Sequence, residues 1–288
     1  MSYKIITDSC CDFTQQQYQD LDLRYAPLTL LYKGGSYDSF TEPKELHDFY
    51  DGIRAGEMPT TSAVNPDGWA RIMRPILEAG EDVLCLAFSS ALSTTYQSAV
   101  IAANELKEEF PERTIHVVDT LCAALGQGLL VWHACKHRDA GMELDALVAW
   151  VEENKHHLAH WVTVDDLNHL KRGGRVSATT ALVGGLLNIK PIIHVDENGK
   201  LDTVSKVRGR KAAMELLANK VSELGEGYDN ETVFVAHGDC PEDAEALANL
   251  IKKKCSFVKE VVIGYVGGVI GAHTGPGVLV SFFLGKEK

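Results

Sequence analysis

Three short polar clusters mark the positions where this chain could do chemistry: Thr60-Thr61-Ser62, Ser89-Ser90-Ala91-Leu92-Ser93-Thr94-Thr95 and His273-Thr274-Gly275-Pro276-Gly277. Each sits where an apolar run gives way to a turn or a helix start. Together they offer hydroxyls, an imidazole and glycine-exposed amides, which suit the grip of a small anionic headgroup such as carboxylate or phosphate better than the breaking of a bond. The second cluster follows the apolar run Val83 to Phe88 and precedes an amphipathic helix. Its hydroxyls therefore fall at the carboxyl end of a strand and the amino end of a helix, where free N–H groups and the helix dipole attract anions. Taken singly, each cluster has a plainer role. Serine and threonine at helix starts act as caps, Thr60-Thr61-Ser62 after Pro59 can be a loop with local side-chain-to-backbone bonds, and His273 can be a structural hydrogen-bonder. Their joint occurrence is what points to a ligand.

A second chemistry uses the same residues. Ser93, His273 and a carboxylate such as Asp8 would make a serine hydrolase or acyltransferase if space brought them together, since such triads are defined by geometry and not by order. The helix-start amides would also serve a phosphometabolite. The chain lacks the Gly-x-x-x-x-Gly-Lys-Ser/Thr loop, a Gly-x-Gly-x-x-Gly after a strand, His-Glu-x-x-His and the Gly-x-Ser-x-Gly elbow. His156-His157-His160 is accounted for as a polar helix end before a strand, so neither a metal nor a cofactor is expected. Two basic groups stand against the acidic background: Lys171-Arg172 with Arg175, and Lys206, Arg208, Arg210 and Lys211. Solvated faces are their ordinary reading, and a docking surface for an acidic partner or a phosphoryl group is the functional one.

The elements that must position these residues follow a strand-then-helix order. Tyr3 to Thr7, Val83 to Phe88 and Thr114 to Val118 have the character of short buried strands. Leu46, Phe49, Tyr50 and Ile53, then Trp69, Ile72, Met73 and Ile76, then Tyr96, Ala99, Val100 and Ala103 recur at helical spacing. Asn65-Pro66 starts the second of these helices, and Pro75 is expected to kink or end it. This alternation predicts a parallel α/β domain over residues 1–155, closed by a helix at Leu144 to Val151. Residues 156–288 change character. A strand at His160 to Val164, a short helix at Asp165 to Arg172, and a hairpin of Ile189 to Val195 and Leu201 to Val207 about Asp196-Glu197-Asn198-Gly199-Lys200 come first. A helix near Lys211 to Leu224, a strand Thr232 to His237, a helix Glu242 to Lys254, and strands Val258 to Val266 and Gly277 to Leu284 follow. The prediction is a C-terminal α+β domain with a mixed sheet.

The 288 residues exceed one comfortable core, and 45% hydrophobic content at a mean hydropathy of -0.08 is ordinary for a globular protein. Lys+Arg 28 against Asp+Glu 40 gives a net charge of -12, which argues against nucleic acid or an anionic membrane as main partner. No apolar stretch reaches transmembrane length and the N-terminus has no signal-like run, so a cytoplasmic protein is expected. Seven cysteines, with Cys10-Cys11 adjacent and no Cys-x-x-Cys, point to reduced and mostly buried thiols.

Thr7-Asp8-Ser9, Thr61-Ser62, Ser89-Ser90-x-Leu92-Ser93-x-Thr95-Tyr96-Gln97, Lys171-Arg172-Gly173-Gly174-Arg175-Val176 and Ala272-His273-Thr274-Gly275 together resemble the DegV family, across almost the whole chain and in order. That resemblance implies a bacterial fatty-acid-binding protein, non-catalytic alone, serving as the acyl-binding subunit of a two-component fatty acid kinase whose separate ATP-using subunit phosphorylates the bound carboxylate. By motif, Thr61 and Ser93 resemble the hydroxyls that hold the carboxylate, and His273 the histidine that completes their network. Ser62, Thr94 and Thr274 become headgroup neighbours. Arg208 takes the place of an arginine implicated in kinase docking, and Arg175, in the other basic group, is expected as a second partner-docking residue. Three departures stand out: Thr94 where the family usually has glycine, Cys10-Cys11 where Thr-Ser is usual, and Ala63-Val64 where Gln-Pro is common.

Magnitudes agree with a lipid. About fourteen methylenes leaving water at roughly 0.8 kcal/mol each yield about 11 kcal/mol before ordering costs, whereas one hydrogen bond to a charged group nets about 1.5 to 3 kcal/mol. Affinity would come from an apolar tunnel, and the hydroxyls would fix which end faces the mouth. Candidate tunnel residues are Leu182-Val183, Leu186-Leu187, Ile189, Ile192 and Val278 to Phe283, which serve equally as ordinary core.

Overall fold

The computed structural model describes residues 2–176 and 188–288. Its strands are β1 (Tyr3–Asp8), β2 (Arg24–Ala26), β3 (Thr29–Tyr32), β4 (Gly35–Asp38), β5 (Thr60–Ser62), β6 (Asp82–Ala87), β7 (Ile115–Asp119), β8 (Leu158–Thr163), β9 (Ile189–Val195), β10 (Leu201–Arg208), β11 (Thr232–His237), β12 (Glu260–Tyr265) and β13 (Leu279–Leu284). Its helices are α1 (Gln15–Asp20), α2 (Pro43–Arg54), α3 (Pro66–Glu78), α4 (Thr95–Glu109), α5 (Ala124–Asp139), α6 (Leu144–Asn154), α7 (Asn168–Arg172), α8 (Arg210–Leu224), α9 (Pro241–Lys254) and α10 (Gly268–Thr274).

The first sheet, in the order β2-β1-β6-β7, is parallel throughout. Parallel neighbours need crossovers, and α3 and α4 supply them on either side of β6. Ile5, Ile6 and Leu84 are fully buried because helices cover both faces of this sheet. The second sheet, in the order β10-β9-β8-β13-β11-β12, is mixed: only β11 and β12 run parallel, bridged by α9, and its other pairs are antiparallel. The α/β class, with a parallel sheet first and a mixed sheet after it, is therefore as expected, and so is the hairpin of β9 and β10.

One helix sits between the sheets. Ala124, Leu125, Leu129, Leu130, Val131 and Ala134 of α5 are all buried, and they join Ile5, Leu84 and Leu86 of the first sheet to Phe234, Val280 and Phe282 of the second in one core. A helix apolar on every side is what such a position demands. At the other end α10 crosses back, so that Val269 and Ala272 pack with Leu30, Phe49 and Trp69.

The structure corrects the sequence reading at several places. Thr60-Thr61-Ser62 is not a loop: β5 pairs with β3, and β4 with β3, in a third antiparallel sheet. Pro75 does not end α3, which continues to Glu78, because Ile76 and Leu77 are buried and their packing outweighs one missing backbone bond. The last strand starts at Leu279 and not at Gly277, and the strand before it spans Glu260–Tyr265. His160 lies inside β8, which begins at Leu158. The proposed tunnel residues Leu182, Val183, Leu186 and Leu187 lie outside the described residues. Among the described residues no helix is long and apolar enough to cross a membrane.

Candidate functional site

The polar clusters converge because three elements end at one place. β5 runs beside β3 and points Thr61 inward opposite the buried Leu30, while Ser62, one residue on, is exposed and lines no part of the site. The turn after β6 delivers Ser93 and Thr94 to the start of α4. The last turn of α10 delivers His273.

Thr61 Oγ1 and His273 Nε2 lie 2.8 Å apart, a direct hydrogen bond between residues 212 positions apart in the chain. The ring of His273 rests against Gly173, where any Cβ would overlap Nδ1, so glycine is required there for the imidazole to reach Thr61. Burial lowers the His273 pKa to about 4, with the nearby Arg175 guanidinium adding to the effect, so the imidazole is neutral at physiological pH. Arg175 donates from Nε and Nη2 to the Leu92 carbonyl at 3.1 and 2.9 Å, and from Nη1 to the Gly173 carbonyl. It thereby pins the Ser89 to Thr95 turn against the segment after α7, and burial holds its pKa below the usual arginine range.

Ser93 Oγ is 2.9 Å from Thr95 Oγ1 and accepts from the Thr95 N–H at 3.2 Å. Thr94 is the N-cap of α4 yet makes no side-chain capping bond, and it is exposed at the cavity. Thr274 also lines the cavity, with its hydroxyl bonded to the Ile270 carbonyl at 3.3 Å.

These side chains open onto a cavity of about 490 Å³, within the ~300–1,000 Å³ of small-molecule sites. Thr61 is bonded to His273, and Arg175 ties the turn that carries Ser93 and Thr94 to Gly173 beside the His273 ring, so these five residues share one part of its wall. Elsewhere the second sheet presents one face: His160 and Val162 of β8, Val195 of β9, and Val280 and Phe282 of β13. Strand alternation sends Trp161, Leu279 and Phe283 to the opposite core. Of the tunnel candidates, Val278, Val280 and Phe282 line the cavity, while Ile192 packs on the far face and Ile189 does not line it. Among the described lining residues Arg175 is the one formally charged side chain.

The alternative serine triad is not assembled. Among the described residues His273 hydrogen-bonds Thr61 and Ser93 hydrogen-bonds Thr95, while both Asp8 oxygens accept backbone N–H groups, from Cys10 at 3.0 Å and Phe88 at 2.7 Å. Asp8 is a staple between the ends of β1 and β6, and burial raises its pKa to about 6.

Arg208 stands apart from the cavity, exposed at the end of β10. Arg210 is engaged with Asp243 at 2.7 Å. The three histidines 156, 157 and 160 go separate ways: His156 faces Glu197 at 3.5 Å, His157 bonds to the Gly285 carbonyl at 3.0 Å, and His160 is buried at the cavity. His47, Asp51 and Asp239 approach one another, but Arg54 already holds Asp51 at 2.9 Å and Asp239 at 2.5 Å. A guanidinium in their midst supplies the positive charge a metal would bring.

Comparison with known proteins places this architecture. The profile of the DegV family, described as uncharacterised proteins, matches residues 2–286. A DegV domain-containing protein of Clostridium perfringens is 44% identical over 290 residues, covering 99% of this chain and 98% of its own. A DegV family protein from Thermus thermophilus, described for its fatty acid binding, is similar in structure at a TM-score of 0.86 and 33% identity, covering 99% of this chain and 100% of that one. A DegV lipid-binding protein from Thermotoga maritima is similar at a TM-score of 0.85 and 30% identity, over 100% of both chains. The chain belongs to the DegV family.

Proposed function

We propose that this protein is a non-catalytic carrier of one long-chain fatty acid, its carboxylate held by Thr61, Ser93 and His273 and its acyl chain lying along the inner face of the second sheet. The carrying observation is the polarity of the cavity: hydroxyls, a neutral imidazole and one guanidinium gathered on one part of the wall, and valines with a phenylalanine on another. A carboxylate there would accept from hydroxyl donors in the field of Arg175, and apolar burial would supply most of the affinity. The fatty acid binding of the Thermus relative supports the reading. In this reading residues 1–155 and 156–288 are the two domains, and the ligand sits between them.

In this reading the carrier presents the carboxylate, in the cytoplasm, to an ATP-using kinase subunit. Lys206 and Arg208 share one face of the exposed edge strand β10 and form the docking patch. Arg175, at the cavity, belongs with the headgroup turn more than with that patch. Delipidated protein should be melted with oleate and, in parallel, with sugar phosphates: stabilisation by oleate alone supports the carrier, and stabilisation by phosphates alone overturns it. Time-dependent labelling of Ser93 by an acyl-directed electrophile would instead support a hydrolase.

A further inference from the structure

The apolar part of the cavity contains one side chain of a different kind. His160, in the middle of β8, is 1% exposed and faces the cavity beside Phe282, its partner across the β8–β13 pairing. The two rings meet edge to face at 5.2 Å. Both imidazole nitrogens are occupied: Nε2 accepts from the Ala123 N–H at 3.1 Å, and Nδ1 lies 2.9 Å from the Leu158 carbonyl. That pair of bonds fixes the tautomer with the proton on Nδ1 and fixes the plane of the ring. Burial holds the pKa down at about 3, so the ring stays uncharged.

The far side of the ring is closed as well. A Cβ at Gly126 of α5 would overlap His160 Nε2 and come within 2.7 Å of Phe282 Cδ1, so the first turn of α5 is seated directly on the pair. The segment it anchors, Ala123-Ala124, itself lines the cavity with two of the smallest side chains available. Small methyl groups and an immobilised ring thus adjoin on one stretch of the cavity wall.

We infer that His160 is a specificity-determining residue for the acyl chain: a rigid, uncharged wall that limits how long a fatty acid the cavity accepts. This rests on the carrier reading. A flexible aliphatic side chain could rotate aside for a longer guest, whereas a ring hydrogen-bonded at both nitrogens cannot move without leaving the Ala123 N–H unpaired in the interior. The limit is enforced by the backbone bonds as much as by the volume of the ring.

The test compares wild type with His160→Ala and His160→Gln, each delipidated and offered an equimolar mixture of 16- and 18-carbon fatty acids, with the bound acids identified by mass spectrometry. Removing the ring opens room for about two methylenes, which predicts a rise of roughly tenfold in the 18-to-16 ratio for the alanine variant. Glutamine keeps an acceptor for the Ala123 N–H, so it should melt near wild type while shifting the ratio the same way, and it carries the test if the alanine variant does not fold. Folded variants with the wild-type ratio would overturn the inference. Wild type that takes up neither acid would overturn the carrier reading itself, which distinguishes the two failures.

Discussion

Thr61→Val removes one hydroxyl and almost nothing else. Valine matches threonine in shape and favours a strand, so β5 should keep its pairing with β3. The hydroxyl removed is the one bonded to His273 Nε2 at 2.8 Å, and in the proposed complex it also faces the carboxylate. A hydrogen bond to a charged group contributes about 1.5–3 kcal/mol, so the dissociation constant for a free fatty acid should rise about 10- to 150-fold. The methyl ester of the same acid has no charge to hold, and its affinity should change little. The ratio of the two is the sharper measure, because chain burial dominates both affinities and cancels between them. Displacement of a fluorescent fatty acid from delipidated protein gives both constants. If the variant melts like wild type and keeps its preference for acid over ester, Thr61 does not hold the headgroup and the reasoning fails.

Gly173→Ala should weaken fatty acid binding by a similar factor although residue 173 need not touch the ligand, since the new methyl would push the His273 ring away from Thr61; titration of the double variant with Thr61→Val should show the losses overlapping, and full additivity would count against a shared network. Arg208→Ala should leave lipid binding unchanged and reduce acyl-phosphate formation with a cognate kinase, and a rate equal to wild type would remove Arg208 from the docking patch. Stability should fall as the pH drops from 7 to 5. Burial holds His133, His160, His237 and His273 at about 4, 3, 4 and 4, all below the ordinary 6.5. The unfolded chain therefore gains protons on acidification that the fold refuses, so the contribution is complete above about 6.5 and is lost toward 4. Asp8, raised to about 6, Asp12, raised well above its ordinary value, and the exposed His47, raised by its bond to Asp239, work the other way, but His169, lowered by burial, joins the four buried imidazoles and makes five against three. Denaturant midpoints at the two pH values check the sign, and a higher midpoint at pH 5 would refute it.

Which parts of this were legible in the sequence follows from the range of the interactions. Val83 to Phe88 and Tyr3 to Thr7 could be identified because a strand covered on both faces is a continuous apolar run, and Gly199 in a polar turn announced the β9–β10 hairpin. The helix α5 escaped for the same physical reason that it matters: with nearly every side from Ala124 to Cys135 buried, it carries no amphipathic period. The strands β3, β4 and β5, of four, four and three residues, are too short to show alternation. Thr61, Ser93 and His273 could be nominated by type and by resemblance, yet the bond between Thr61 and His273 spans 212 positions and only the fold reveals it. Ser62 was separated from Thr61 by strand alternation, which a segment taken for a loop does not suggest. His160 was hidden by its neighbours, since His156 and His157 made it look like part of a polar helix end.

The central claim is tested most directly by what the protein carries when it is purified. Denaturing extraction followed by mass spectrometry should release free fatty acid in an amount approaching one per chain. Recovery of no lipid, joined with no uptake of fatty acid by the delipidated protein, would contradict the account.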